Sequence, residues 1–508
     1  MIEKAHYHGI ALPLAALRNP ESSGIGEFCD LIPMIDWCRD IGFKIIQLLP
    51  LNDSGTDSSP YMALSANALN PIHIALRYLP YVECVEKYDE ILKKLSVCNS
   101  SKRFAYYNIY KNKELFLRIY FKSVFPKIRE LPAFEEFCRN EKTWLDNFAR
   151  FRALKALNGE KPWWEWKEPL ETVPDEEVLF YKMVQFLAFS QYKTVRDHAK
   201  ITGVLLKGDI PILINRDSAD VWAGRDLFFL DYAAGAPPDM YSEEGQFWGF
   251  PIYNWQQHDA TGFAWWKERL RVAELLYDVF RIDHIVGFFR IWAIPPGKKA
   301  KEGFFIPEKE EEWWPQGEKL LRMIKSSTNM FPIGEDLGVI PPRVRKIMLE
   351  LGIPGTKIYR WERRWEGDRS YIPVEEYIPE SMMSVSTHDS ETLEEWWARG
   401  SEEVIAFCRF KGWRYEAPLG FEKRLEILQD CHRAGSRFHI NLLFEYLNLF
   451  PELSWDEPGD ERINVPGTVS AENWTYRLRP TISQITSHEK LAPMMKYLAG
   501  GYKLGAAI

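Results

Sequence analysis

What most limits the fold of this chain is a rhythm. Short apolar runs recur at 8–14 (HGIALPL), 44–51 (KIIQLLPL), 203–214 (GVLLKGDIPILI), 278–283 (DVFRID), 330–336 (MFPIGED), 355–361 (GTKIYRW), 382–389 (MMSVSTHD) and 437–443 (RFHINLL). Helical patterns separate them. Apolar, β-branched runs read as buried strands, and strands alternating with helices pair in parallel. Eight such runs predict an α/β fold: a (β/α)8 TIM barrel with a helical insertion and extended loops over its C-terminal face.

The stretch from 72 to 195 breaks the rhythm. It is charged, and segments such as AFEEFCRNEKTWLDNFARFRALKAL space apolar residues three and four apart, the period of an amphipathic helix. The expected division is therefore a barrel from 1–71 and 196–508, with 72–195 a mainly helical insertion subdomain. EKEEEWW at 308–314 reads as a solvated charged face.

Bulk properties exclude several classes. A net charge of −8 over 508 residues offers no basic face for nucleic acid or anionic membrane. No apolar run is long enough to span a bilayer. GIALPLAAL (9–17) is interrupted by Pro13 and weakly flanked by base, so it reads as a first strand rather than a signal segment. The seven cysteines are odd in number, scattered and never in C-x-x-C spacing, which predicts a reduced cytoplasmic protein without a cysteine metal site. The 73 aromatic residues (20 Trp, 23 Tyr, 30 Phe) mostly serve a core, but some would suit a groove where flat faces stack on sugar rings.

Three of the runs end in acids. YDVFRIDHIVGFFR (277–290) sets Arg281, Asp283 and His284 into an apolar strand, where unpaired charge is costly. FPIGED ends in Glu335 and Asp336, and MMSVSTHD in His388 and Asp389. In a barrel the C-terminal strand ends ring a single site, so these acids can meet although far apart in sequence. Retaining glycoside chemistry needs such a set: a carboxylate nucleophile and a protonated carboxyl about 5–5.5 Å away, with an ionised neighbour helping to hold the acid protonated. Each acid also has a plain structural reading: Asp389 as a helix N-cap, Glu335 or Asp336 as a partner of the next helix dipole, Asp283 as an ion-pair partner of Arg281. Asp-His and His-Asp pairs could ligate a metal, but no H-E-x-x-H or comparable cluster is present, so no metal is expected.

FRIDH, GEDLG and STHD resemble the catalytic segments of the 4-α-glucanotransferases (amylomaltases or disproportionating enzymes) of glycoside hydrolase family 77, in the α-amylase clan. The resemblance extends over SSPYMALSANALNP (58–71), GDIPILINRDSADVWA (208–223), GAPPDMYSEEGQFWGFPIYNW (235–255) and RINVPGT…NWTYR (462–477). Departures lie in ALPLAALRNPESSGIGEF, at Phe250, and in WERRWEGDRSYIP and NLLFEYLNLF, none of them at the three acids. The resemblance implies Asp283 as nucleophile, Glu335 as general acid and base, and Asp389 as transition-state stabiliser. It implies that Arg281 orients Asp283, that His388 and Asp217 hydrogen-bond the donor sugar, and that Tyr61 stacks on it. Gln246 and Trp248 would line the acceptor loop, and Asn464 would border the site. It further implies transfer between α-1,4-glucans and maltooligosaccharides with glucose as an acceptor, no cofactor, and a monomer or homodimer. The competing readings are an α-glucan hydrolase, another transglycosylase of the clan, and a non-catalytic glucan-binding scaffold.

Overall fold

The computed structural model describes residues 5–96, 101–167, 172–238 and 243–500. Eight strands form one parallel sheet: β1 (Tyr7–Leu12), β2 (Ile45–Leu48), β3 (Leu205–Ile210), β4 (Val279–Ile282), β5 (Phe331–Gly334), β6 (Gly355–Ile358), β7 (Ser381–Ser384) and β8 (Phe438–Leu442). Their spatial order follows the chain, with β8 returning to β1. All eight expected strand runs are present. Most strand positions are buried, as expected when helices cover the outside and side chains fill the barrel.

The barrel is tightest to read at β5 and β6, where no regular ladder forms. Gly334 N–H donates to Pro354 C=O at 2.8 Å. The buried Asp336 carboxylate accepts from Thr356 N–H at 2.7 Å and pairs with Arg345 at 2.8 Å, while the Thr356 hydroxyl donates to Gly334 C=O at 3.0 Å. A Cβ on Gly355 would lie 2.7 Å from Asp336 Oδ1, so the close approach requires glycine there.

Helices precede most strands, including Leu31–Ile41, Ala264–Leu276, Glu310–Ser326 and Pro342–Glu350. The β6–β7 connection differs from the expected pattern: it holds only the 3-10 turns Tyr359–Trp361 and Val374–Glu376. Pro342 opens its helix at the first turn, where a missing N–H costs nothing. In 308–314 the acids are exposed, but Trp313 and Trp314 are buried. Among the described residues between β2 and β3 run five α-helices, Tyr88–Ser96, Tyr106–Ile128, Pro132–Asn140, Lys142–Leu157 and Asp175–Thr202. The last of these spans position 195 and leads directly into β3. A four-stranded antiparallel sheet (Ala233–Ala236, Gln246–Phe247, Ile291–Ile294, Phe304–Ile306) lies in the loops that follow β3 and β4. Residues 239–242 of the GAPPDMYSEEG segment, and Cys98, lie outside the described residues. No described helix is long and apolar enough to cross a membrane.

Asp336→Ala would orphan the buried Thr356 N–H and release Arg345. The expected cost is about 2–4 kcal/mol, read as a lower thermal unfolding temperature with unchanged far-ultraviolet dichroism. An unaltered unfolding temperature would contradict the seam assignment.

Candidate active site

β4 is built from Val279, Phe280 and Ile282, residues that favour a pleated, buried surface. Arg281 interrupts them and is nonetheless buried. Its cost is met by carboxylates. One nitrogen, Nη1, donates to both oxygens of Asp209 at 3.0 Å and to Asp283 Oδ1 at 2.8 Å. The other, Nη2, lies 3.6 Å from Glu335 Oε2. Asp209 faces Arg281 because β3 and β4 pair them in register. Burial works against the Arg281 charge, but Asp209 and Asp283 outweigh it and hold the guanidinium firmly protonated. Asp283 follows the strand directly, its N–H still bonded to Ile210 C=O at 3.3 Å.

Glu335 sits one residue past β5. His284 adopts a left-handed backbone (φ +42°), which turns its N–H onto Glu335 Oε2 at 3.0 Å. Leu337 N–H donates to Oε1 at 2.8 Å. The carboxyl therefore accepts two backbone bonds without capping the helix that begins at Pro342. Burial first, opposed by Arg281 and reinforced by the Asp283 charge, pushes its pKa up to about 7. Asp336, next along the chain, points instead into the β5–β6 seam.

Asp389 lies beyond β7. It does not cap the following helix: Thr392 does, accepting from Glu395 N–H at 3.1 Å. Its carboxylate receives Asn464 Nδ2 at 2.7 Å and His388 Nε2 at 3.0 Å. Against partial desolvation, His388 and Asn464 hold its pKa down to about 2; the same pairing raises His388 against burial of the ring. The Asp389 side chain is 43% exposed, Asp283 20% and Glu335 13%, so the acid with the raised pKa is also the most withdrawn.

Tyr61, on the loop after β2, ties the two halves together. Its hydroxyl donates to Asp209 Oδ2 at 2.9 Å and lies 2.9 Å from His388 Nε2, with the two rings stacked. Trp248 packs edge-on against His284 at 5.0 Å between ring centroids, and its indole donates to Gln246 Oε1 at 3.1 Å. Asp217 has other partners: its carboxylate binds Lys155 Nζ and accepts from Trp163 N–H at 3.2 Å, both from the segment between β2 and β3.

Four contributors escaped the sequence reading. Asp209 carries the same signal as Asp283, an acid inside an apolar strand. Lys207, two residues earlier, is fully buried with Nζ on Gln47 Oε1 at 2.6 Å, and burial pushes its pKa down to about 7. Arg462 donates to Asp389 C=O at 3.3 Å, and Trp474 packs on both Tyr61 and His388. The last two lie inside the RINVPGT…NWTYR segment, where spacing alone does not single them out.

The glycoside hydrolase family 77 model, 4-alpha-glucanotransferase, matches residues 12–483. The 4-alpha-glucanotransferase of Chlamydia pneumoniae is 42% identical over 493 residues, covering 95% of this chain and 93% of that protein. The 4-alpha-glucanotransferase of Thermus thermophilus is 32% identical, covering 93% and 94%. Among solved structures, the amylomaltase of Streptococcus agalactiae in complex with acarbose superposes with a TM-score of 0.83 at 26% identity, covering 97% of this chain and 98% of that one. The chain belongs to glycoside hydrolase family 77 and is a 4-alpha-glucanotransferase acting on α-1,4-glucans.

Proposed function

We propose that the transfer proceeds by retaining double displacement through Asp283, Glu335 and Asp389. A single observation carries the reading: Asp283 and Glu335 flank different nitrogens of one buried guanidinium. In the first half-reaction the Asp283 carboxylate attacks the anomeric carbon of the donor sugar. The glycosidic C–O bond breaks, and its oxygen takes the proton of Glu335, so the reducing-end fragment leaves as an alcohol. In the second, the 4-hydroxyl of glucose or of another glucan gives its proton to the Glu335 carboxylate and attacks the same carbon. The bond to Asp283 breaks, and an α-1,4 linkage forms with retained configuration.

The remaining groups follow from their contacts. Arg281 orients Asp283. Asp389, kept ionised by His388 and Asn464, binds donor hydroxyls more strongly as positive charge builds on the sugar. Tyr61 supplies a flat face, and Gln246 and Trp248 line the acceptor side next to His284. On this reading residues 72–195 are a helical insertion, whose Lys155 and Trp163 engage the Asp217 carboxylate. The carboxylates do the covalent and proton work, so no cofactor enters the scheme. The six described cysteines are all unpaired, which supports a cytoplasmic setting.

With maltotriose alone, the native enzyme is expected to yield a ladder of longer maltooligosaccharides, whereas glucose and maltose alone would mean hydrolysis. Asp283→Asn should lower turnover by at least about 10³-fold while retaining glucan binding. A ladder at native rate from this variant would refute the nucleophile assignment.

The acid limb of the mechanism has a pH signature. Because the Glu335 pKa is raised to about 7, its proton is present below that pH and lost above it. kcat/KM for glucan donors should therefore fall on the alkaline side with an apparent pKa near 7. On a glycosyl fluoride, whose departure needs no acid, the native enzyme should lack that limb. A limb at the ordinary carboxylate value would count against Glu335 as the acid.

A further inference from the structure

We propose that Trp474 is a positioning residue that fixes the Tyr61–His388 pair on the donor side of the site. The proposal rests on the double-displacement reading above and adds a residue to it. Trp474 has a left-handed backbone, φ +64°. A bulky aromatic residue rarely adopts that conformation, and it persists only where its surroundings over-determine it.

The surroundings here do so. Trp474 N–H donates to Ile463 C=O at 2.7 Å. Asn473 accepts from Val465 N–H at 3.2 Å and donates to both oxygens of Thr468 at 3.1 Å. The Thr475 hydroxyl bonds Ala471 and Glu472 carbonyls at 2.9 Å, and Thr475 C=O accepts from Phe104 N–H at 3.0 Å. The turn is thus pinned before, at and after the strained residue.

The strain places one ring. Trp474 lies 5.4 Å from Tyr61 and 5.9 Å from His388, between centroids, tilted by 51° and 42°. Tyr61 and His388 come from loops 327 residues apart in sequence and meet through one 2.9 Å polar contact. Each ring is also tied to an acid, Tyr61 to Asp209 at 2.9 Å and His388 to Asp389 at 3.0 Å; these bonds hold the polar edges of the stacked rings, and a third aromatic face packed on both restrains how their planes rock. The same turn also reaches the Asp389 side. Ile463, which receives the Trp474 N–H, precedes Asn464, whose amide holds the Asp389 carboxylate. One pinned turn therefore sets both the ring pair and the stabilising carboxylate.

The test compares Trp474→Gly, Trp474→Leu and Trp474→Phe in the intact enzyme with maltotriose. Glycine relaxes the backbone while removing the ring, so loss of activity cannot come from added strain. For Trp474→Gly we expect kcat to fall about 10–100-fold, with KM changed by less than about 3-fold, because misplaced rather than absent groups slow the chemical step. Trp474→Phe should keep at least about a third of native kcat. Should the glycine variant fail to fold, Trp474→Leu is read by the same criteria. A kcat within about 2-fold of native, a fall that Phe does not restore, or a rise in KM alone would each overturn the proposal. Asp283→Asn run alongside separates the two readings: activity there would defeat double displacement, whatever Trp474 does.

Discussion

The guanidinium of Arg281 is the interaction on which the rest of the site depends. Asp209, Asp283 and Glu335 placed together without a cation would repel, and a buried arginine without acids would be an uncompensated charge. Each makes the other tolerable. The guanidinium fork fixes geometry as well as charge, because its donors lie in one plane. The short bond goes to Asp283, the longer contact to Glu335. In the proposed mechanism the group closer to the cation is the nucleophile. The group farther away is governed by its burial, keeps a proton near neutral pH and can give it up.

The barrel makes this arrangement affordable at the scale of the fold. Parallel strands bring their C-terminal ends to one mouth, and in-register pairing sets Asp209 beside Arg281. Below them, Lys207 and Gln47 pair across β2 and β3. Neighbouring residues part company at the strand ends: Glu335 turns to the mouth, while Asp336 stitches β5 to β6. Two adjacent acids thus face different surroundings, as the alternation of side chains along an extended segment allows.

Much of this is legible in the sequence. The eight runs are the eight barrel strands, because buried parallel strands are nearly continuous apolar stretches. FRIDH was legible because charge inside such a stretch demands a partner. Asp209 carries the same signal, yet GVLLKGDIPILI reads first as a strand and only the register reveals the partner of its acid. The absence of an α-helix between β6 and β7 was not legible, since WERRWEGDRSYIP is charged and aromatic without a decisive period. Trp474 could not be found from spacing: its importance lies in a backbone angle and in rings contributed by distant loops. The capping reading of Asp389 fails on a local contest, since Thr392 stands nearer the helix start and takes the N–H.

The central claim is that Asp283 forms a covalent bond to the donor sugar. It is tested most directly by mixing Glu335→Gln with an α-maltosyl fluoride donor, quenching in acid, and measuring intact and peptide masses. The fluoride leaves without a proton, while the missing general base slows the second step, so a glycosyl adduct should accumulate on the peptide containing Asp283. An adduct on another residue, or turnover through a mechanism that never loads Asp283, would contradict the account.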